Sequence, residues 1–162
     1  MRVGGTEEQI IQRASDWCTD VARVGCVLCQ VAGMPARLVY LADIGKAYSG
    51  HAIIEAFYSG RWGAVDSSTG VIYSHRDGRP AGTWELMRDP ALLAAHARPG
   101  ATYTNAGQFS AAAIVNYSVA DRDAYDYSVS GLNDYYRSIL AQSARGWPAG
   151  LRWLHDEDKA AE

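Results

Sequence analysis

Residues 51–68 read His51-Ala52-Ile53-Ile54-Glu55-Ala56-Phe57-Tyr58-Ser59-Gly60-Arg61-Trp62-Gly63-Ala64-Val65-Asp66-Ser67-Ser68. His51 to Tyr58 alternates well enough for a strand, Ser59-Gly60 is a two-residue hairpin signal, and Arg61 to Val65 is the return strand. If those two residues form the turn, Tyr58 pairs with Arg61, and residue numbers across the ladder sum to a constant. His51 then faces Ser68, and Ile53 faces Asp66. Side chains alternate between the faces of a strand, so His51, Ile53 and Glu55 share one face, with Asp66 and Ser68 projecting beside them. Diagonal neighbours such as His51 and Asp66 stand about 7–8 Å apart at the backbone. Two side chains close that gap. The spacing suits an aspartate that orients a histidine and stabilises its cationic form.

Working outward from the hairpin, Thr6 is placed to cap a short helix over Glu7 to Ala14, with acidic residues in its first turn. A second helix runs from Cys18 to Ala32. Val21, Val24, Leu28 and Val31 recur along it at helical spacing. Gly33 stops the helix and Pro35 forbids its continuation. Arg37 to Leu41 then reads as a strand, and Ala42 to Gly50 as a loop. Downstream, Gly70 turns the chain into a short strand at Val71 to Tyr73, and Asp77-Gly78 makes another turn. Thr83 to Met87 reads as a short helix. Asp89-Pro90 is an N-cap followed by proline at the first helical position, opening a further piece through His96. Ala111 to Val119 suits a late strand and Asn133 to Ala144 a terminal helix. The order of helix, meander and mixed elements indicates an α+β fold in one domain over 1–155, with a charged tail over 156–162.

The bulk composition narrows the function classes. The chain has 162 residues, 48% hydrophobic and 20% charged, which suits one ordinary globular core. A formal net charge of −3 gives no electrostatic reason to expect nucleic acid or an anionic membrane as partner. No apolar run approaches the roughly 20 residues that span a bilayer. Met1 to Gln9 lacks the apolar core of a secretion signal, so a cytoplasmic setting is the expectation. An odd count of three cysteines fits free thiols in a reducing compartment.

Cys18 lies at the predicted start of a helix, where unpaired N–H groups and the macrodipole favour a thiolate. Asp16, just before it, could serve there as an ordinary N-cap. Cys26 and Cys29 form a Cys-x-x-Cys, a spacing that also serves redox chemistry or zinc. They fall in the middle of the predicted apolar helix, where cysteine is commonly a small hydrophobe. No second closely spaced ligand pair accompanies them, so no metal and no cofactor are expected. His75, His96 and His155 fall near turns or helix ends and read as solvated. Tyr117, Tyr125, Tyr127, Tyr135 and Tyr136 read as packing rather than as a substrate groove.

The run Trp17-Cys18-Thr19-Asp20-Val21-Ala22, followed by Gly33-Met34-Pro35-Ala36-Arg37, resembles the transglutaminase-like core signature. In that family a nucleophilic cysteine begins a helix that ends in a Gly-hydrophobe-Pro-Ala-Arg turn. His51-Ala52-Ile53-Ile54-Glu55 is similar to the family's His-Ala-x-x-Glu strand, and Trp62-Gly63-Ala64-Val65-Asp66 resembles its Trp-x-x-x-Asp strand. The resemblance implies a papain/transglutaminase-like core, with the nucleophile helix packed on an antiparallel sheet. It implies Cys18 as nucleophile, His51 as general base and acid, and Asp66 as the orienting carboxylate. It also selects Cys18 over Cys26 and Cys29, which lie too close to the Gly33 turn. Two departures are visible: Ile53 stands where the family often has an aromatic residue, and fewer residues precede the nucleophile than in most relatives. The oxyanion donor is therefore open between the Cys18 N–H, the Trp17 indole and Gln12, which also reads as a solvated helix residue. Glu55 reads either as a group supporting the site or as a cross-strand ion partner, and Arg37 as a structural ion pair. The implied activity is thiol-dependent acyl transfer from a peptide or small amide through a thioester. Hydrolysis ranks first, transfer to an amine second, and a non-catalytic binding module of the same fold is the alternative from another class.

Overall fold

The computed structural model describes residues 5–43, 50–96 and 108–117. Two helices come first, α1 (Glu7–Arg13) and α2 (Cys18–Val31). The start of α1 is a reciprocal capping box: Thr6 Oγ1 accepts from Gln9 N, and Gln9 Oε1 accepts from Thr6 N at 3.0 Å. At its far end α2 stops where Gly33 takes φ +82°, a conformation that costs glycine nothing. The chain then enters β1 (Ala36–Ala42), β2 (Gly50–Tyr58), β3 (Arg61–Asp66) and β4 (Val71–Ile72). Two short helices follow, α3 (Thr83–Arg88) and α4 (Pro90–Ala94), and then β5 (Ala111–Val115). Asp89 Oδ1 caps α4, accepting from Ala91 N and Leu92 N, with Pro90 at the first turn as its sequence predicts.

The strands form one antiparallel sheet in the order β4-β3-β2-β1-β5. Tyr58 pairs with Arg61 and Ile54 with Val65, the register that the two-residue turn requires. Ser59 and Gly60 both hold positive φ, 52° and 78°, the signature of a turn whose twist matches the flanking strands. Side-chain alternation gives the sheet two apolar faces. One carries Val39, Leu41, Ile53 and Ala64, packed against Leu86 of α3, Leu93 of α4, Tyr73 and Phe109. The other carries Leu38, Tyr40, Ala52 and Ile54, packed against Ala22, Cys26 and Val27 of α2 and against Tyr117. The fold is α+β, with the sheet between α2 and the two short helices.

Helix α2 presents a different face to the sheet from the one its valines suggest. Leu28 is 57% and Val31 79% exposed, while Ala22, Cys26 and Val27 are buried. The reason is steric: small side chains let a helix approach a sheet closely, and the larger apolar ones are turned outward. The same rotation buries Asp20 and Arg23. Arg23 is 0% exposed, its NH2 donating to Glu7 Oε1 at 2.8 Å and to Gly5 O at 2.8 Å. Its Nε and NH2 also donate to the Tyr117 hydroxyl, which in turn donates to Glu7. Asp20 accepts from Ser15 Oγ at 2.9 Å. This buried polar cluster joins α1, α2 and the chain beyond β5.

The expected helix over Asn133 to Ala144, the tail over 156–162, His155, Tyr125, Tyr127, Tyr135 and Tyr136 lie outside the described residues. So does most of the loop between β1 and β2.

Candidate active site

Cys18 is the first residue of α2, and Trp17 is the N-cap, with no side-chain hydrogen bond closing the helix end. Asp16 is exposed and does not cap it, in contrast to the ordinary capping role its position allows. The leading N–H groups of α2 have no carbonyl one turn earlier to bond, so they and the helix dipole favour negative charge on the Cys18 sulfur. The thiol is half-buried and free.

The structure brings Cys18, His51 and Asp66 together. His51 Nε2 lies 2.9 Å from Asp66 Oδ2, and both side chains are buried. The other Asp66 oxygen, Oδ1, accepts from Ser68 N at 3.0 Å and Thr69 N at 3.2 Å. Those two amides belong to the turn that follows β3, and they fix the carboxylate in one orientation. His51 is also close enough to the Cys18 sulfur for the two groups to shift each other's proton affinity. An imidazole has two nitrogens, so with Nε2 on Asp66 the Cys18 contact falls to Nδ1. The main-chain N–H of Ala52 and the side chain of Thr19 act on the same sulfur in the same direction.

These contacts decide the charge state. Burial pushes the Cys18 thiol up, but the hydrogen bond and positive charge of His51, with Ala52 and Thr19 adding, bring it below the ordinary thiol value. Burial pushes His51 down, and the bonds and negative charges of Asp66 and Cys18 more than offset that, raising it to about 9. The two shifts favour a thiolate–imidazolium pair near neutral pH.

The remaining candidates are placed apart from this chain of bonds or in supporting positions. Cys26 is buried inside α2, and burial, with the charges of Cys29 and Glu7 adding, pushes it up to about 12. Burial likewise raises Cys29. No cluster of three metal-ligating side chains occurs among the described residues. Glu55 is fully buried and pairs across the β1–β2 ladder with Arg37, whose NH2 lies 2.7 Å from Oε2. Its other oxygen accepts from Thr83 N at 2.7 Å, which ties the sheet to the start of α3. Arg37 also lies 4.0 Å over the Trp62 ring. Gln12 is exposed on α1. Trp17 Nε1 is buried without a hydrogen-bond partner among the described residues.

Neither His75 nor His96 is merely solvated. His75 Nε2 lies 3.1 Å from Glu85 Oε1. His96 Nε2 accepts from Ser74 N at 3.2 Å, and its Nδ1 bonds Leu92 O at 3.0 Å, so it pins the β4–α3 connection to α4. The sequence reading missed Thr19 and the Ala52 N–H as neighbours of the sulfur. Their one sequence signal is adjacency, Thr19 following the thiol and Ala52 following the histidine.

The family model described as the transglutaminase-like superfamily matches residues 5–67, a stretch that holds α1 through β3 and with them Cys18, His51 and Asp66. Over that stretch, less than half of the chain, the protein is similar to the transglutaminase-like superfamily. No curated protein and no solved structure matches the chain. No helix among the described residues is long and apolar enough to cross a membrane.

Proposed function

We propose that the protein is a cysteine enzyme that cleaves an amide, in a peptide or a small molecule, through a thioester on Cys18. The observation that carries this reading is the buried His51–Asp66 pair, Nε2 to Oδ2 at 2.9 Å, set beside the Cys18 thiol at the open start of α2, whose pKa it lowers. In the first half-reaction the Cys18 thiolate forms a C–S bond to the substrate carbonyl carbon. The C–N bond breaks as the His51 Nδ1 proton passes to the departing nitrogen, leaving a thioester and a free amine. Water then attacks the thioester, gives a proton to His51 and displaces the thiolate, releasing the acid and restoring the ion pair. Asp66 holds the imidazole in place through both steps.

The developing oxyanion needs donors beside the sulfur. The Cys18 main-chain N–H stands at the open end of α2, and Trp17 Nε1 has no hydrogen-bond partner among the described residues. Both are assigned that role. Exposure on α1 leaves Gln12 as a solvated helix residue. An amine in place of water would take the acyl group by the same path, so hydrolysis and transfer share their first half-reaction. The free thiols Cys18, Cys26 and Cys29 suit a reducing, cytoplasmic setting.

The test is to incubate wild type and Cys18→Ala with a panel of N-acyl peptide aminomethylcoumarin amides, following coumarin release and the intact mass. The expected result is amine release together with a hydroxylamine-sensitive acyl adduct on Cys18, both absent from the variant. Release that survives Cys18→Ala, or no adduct and no release across the panel, would sink the assignment. Adding a primary amine and finding the acyl group on it would place the enzyme among transferases.

A further inference from the structure

Gly25 stands in the middle of α2, where glycine is the poorest helix former after proline. Nothing in the helix requires it, since its backbone is helical and not left-handed. What requires it lies across the gap. A Cβ on Gly25 would sit 2.7 Å from Ser67 Oγ, 3.6 Å from Ser67 Cβ and 3.5 Å from Ile54 Cδ1. The last two are ordinary contacts, while the first is too short for any real Cβ and is relieved only if the Ser67 hydroxyl rotates or the turn that carries it moves. Ser67 begins the turn whose next two amides, Ser68 N and Thr69 N, hold Asp66 Oδ1. Asp66 Oδ2 in turn holds His51 Nε2 at 2.9 Å. The helix that carries Cys18 therefore touches the turn that aims Asp66, and it does so at Gly25, two helical turns along from the thiol.

From this we infer that Gly25 is a positioning residue for the Cys18–His51–Asp66 group: its missing side chain lets the 67–70 turn seat against α2 at the depth that points Asp66 at His51. The inference rests on the proposed role of those three residues. An alanine at 25 pushes Ser67 outward and carries the two amides with it. Asp66 then loses its orientation, His51 its partner, and the thiolate its counter-charge.

The experiment compares the pH profile of iodoacetamide alkylation at Cys18 in wild type, His51→Ala, Gly25→Ala, Ser67→Ala and Gly25→Ala/Ser67→Ala. Wild type comes first: if its Cys18 does not alkylate below the ordinary thiol range in a His51-dependent way, the reading of the three residues fails and this inference with it. Given that behaviour, Gly25→Ala is expected to lower the alkylation rate at pH 6 roughly threefold to tenfold, as thiolate is lost. Ser67→Ala removes the clashing oxygen and leaves a Cβ at ordinary contact distance. It is expected to behave as wild type alone and to restore the wild-type profile in the double variant. If Ser67 merely rotates its hydroxyl aside, Gly25→Ala will keep the wild-type profile, and the inference is overturned while the triad reading stands. A lowered profile that Ser67→Ala does not rescue overturns it too. Should Gly25→Ala fail to fold, the double variant decides: a folded protein with the wild-type profile supports the inference, and a second failure to fold overturns it.

Discussion

Asp66 spends its whole carboxylate on orientation: one oxygen takes two turn amides and the other takes His51. Asp66→Asn cannot serve all three donors, because a side-chain N–H must replace one of the accepting oxygens, and the imidazolium loses its counter-charge. We expect kcat on a cleavable amide to fall by roughly 10²–10⁴, with KM little changed. An unchanged kcat would mean that Asp66 only shapes the turn. The His51–Asp66 diagonal was legible in the sequence because a two-residue turn and a two-residue strand period leave one register. The Cys18 contact was not derivable that way. It depends on how far α2 slides along the sheet, a matter of packing to which only the family resemblance pointed. The influence of the Ala52 N–H on the sulfur was hidden for the same reason, since main-chain donors leave no mark in a sequence.

At the scale of elements, the boundaries of α2 and of the first three strands were readable from caps, proline and alternation, whereas the buried face of α2 was not. Periodicity finds an apolar stripe but does not say which stripe meets the sheet, and here small residues at 22 and 26 win over larger ones at 28 and 31. Urea unfolding checks the rotation. Ala22→Leu, overpacked against β2, is expected to cost about 1–3 kcal/mol. Leu28→Lys is expected to stay within about 0.5 kcal/mol of wild type. The reverse order would put the helix the other way round. Between strands, Glu55 joins Arg37 on β1 to Thr83 at the start of α3 with no access to water. Glu55→Ala strands a buried guanidinium, and an expected loss of about 3–5 kcal/mol follows from removing one partner of such a pair. A loss below about 1 kcal/mol would show that water reaches Arg37.

For the whole molecule, the ion pair makes stability depend on pH in a way that can be signed. His51 is raised from 6.5 to about 9 in the fold, so its contribution is complete below 6.5 and disappears as pH rises through about 9. Cys18 is lowered from 9.0, so its contribution is complete above 9.0 and disappears as pH falls through the folded value. Above both 6.5 and the folded Cys18 value, and up to about 9, the two run in opposite directions and offset each other. Wild-type urea midpoints are therefore expected to be flat across that range as far as this pair is concerned. Cys18→Ala keeps only the His51–Asp66 half and should lose stability as pH climbs through the same range, by at most about 1.4 kcal/mol per pH unit. Parallel curves for the two proteins would contradict the coupling. The Glu7–Arg23–Tyr117 cluster, which also joins distant parts of the chain, left no readable trace in the sequence: pairs so far apart are set by the fold alone.

The central claim is that Cys18 is a thiolate because His51 makes it one. The most direct measurement is the pH dependence of iodoacetamide labelling, read by peptide mass spectrometry at Cys18, Cys26 and Cys29 in wild type and His51→Ala. The account predicts that Cys18 labels selectively well below the ordinary thiol value of 9.0, that this is lost in His51→Ala, and that Cys26 stays unreactive until about 12. Labelling of all three cysteines together near the ordinary thiol value, unchanged by the mutation, would contradict it.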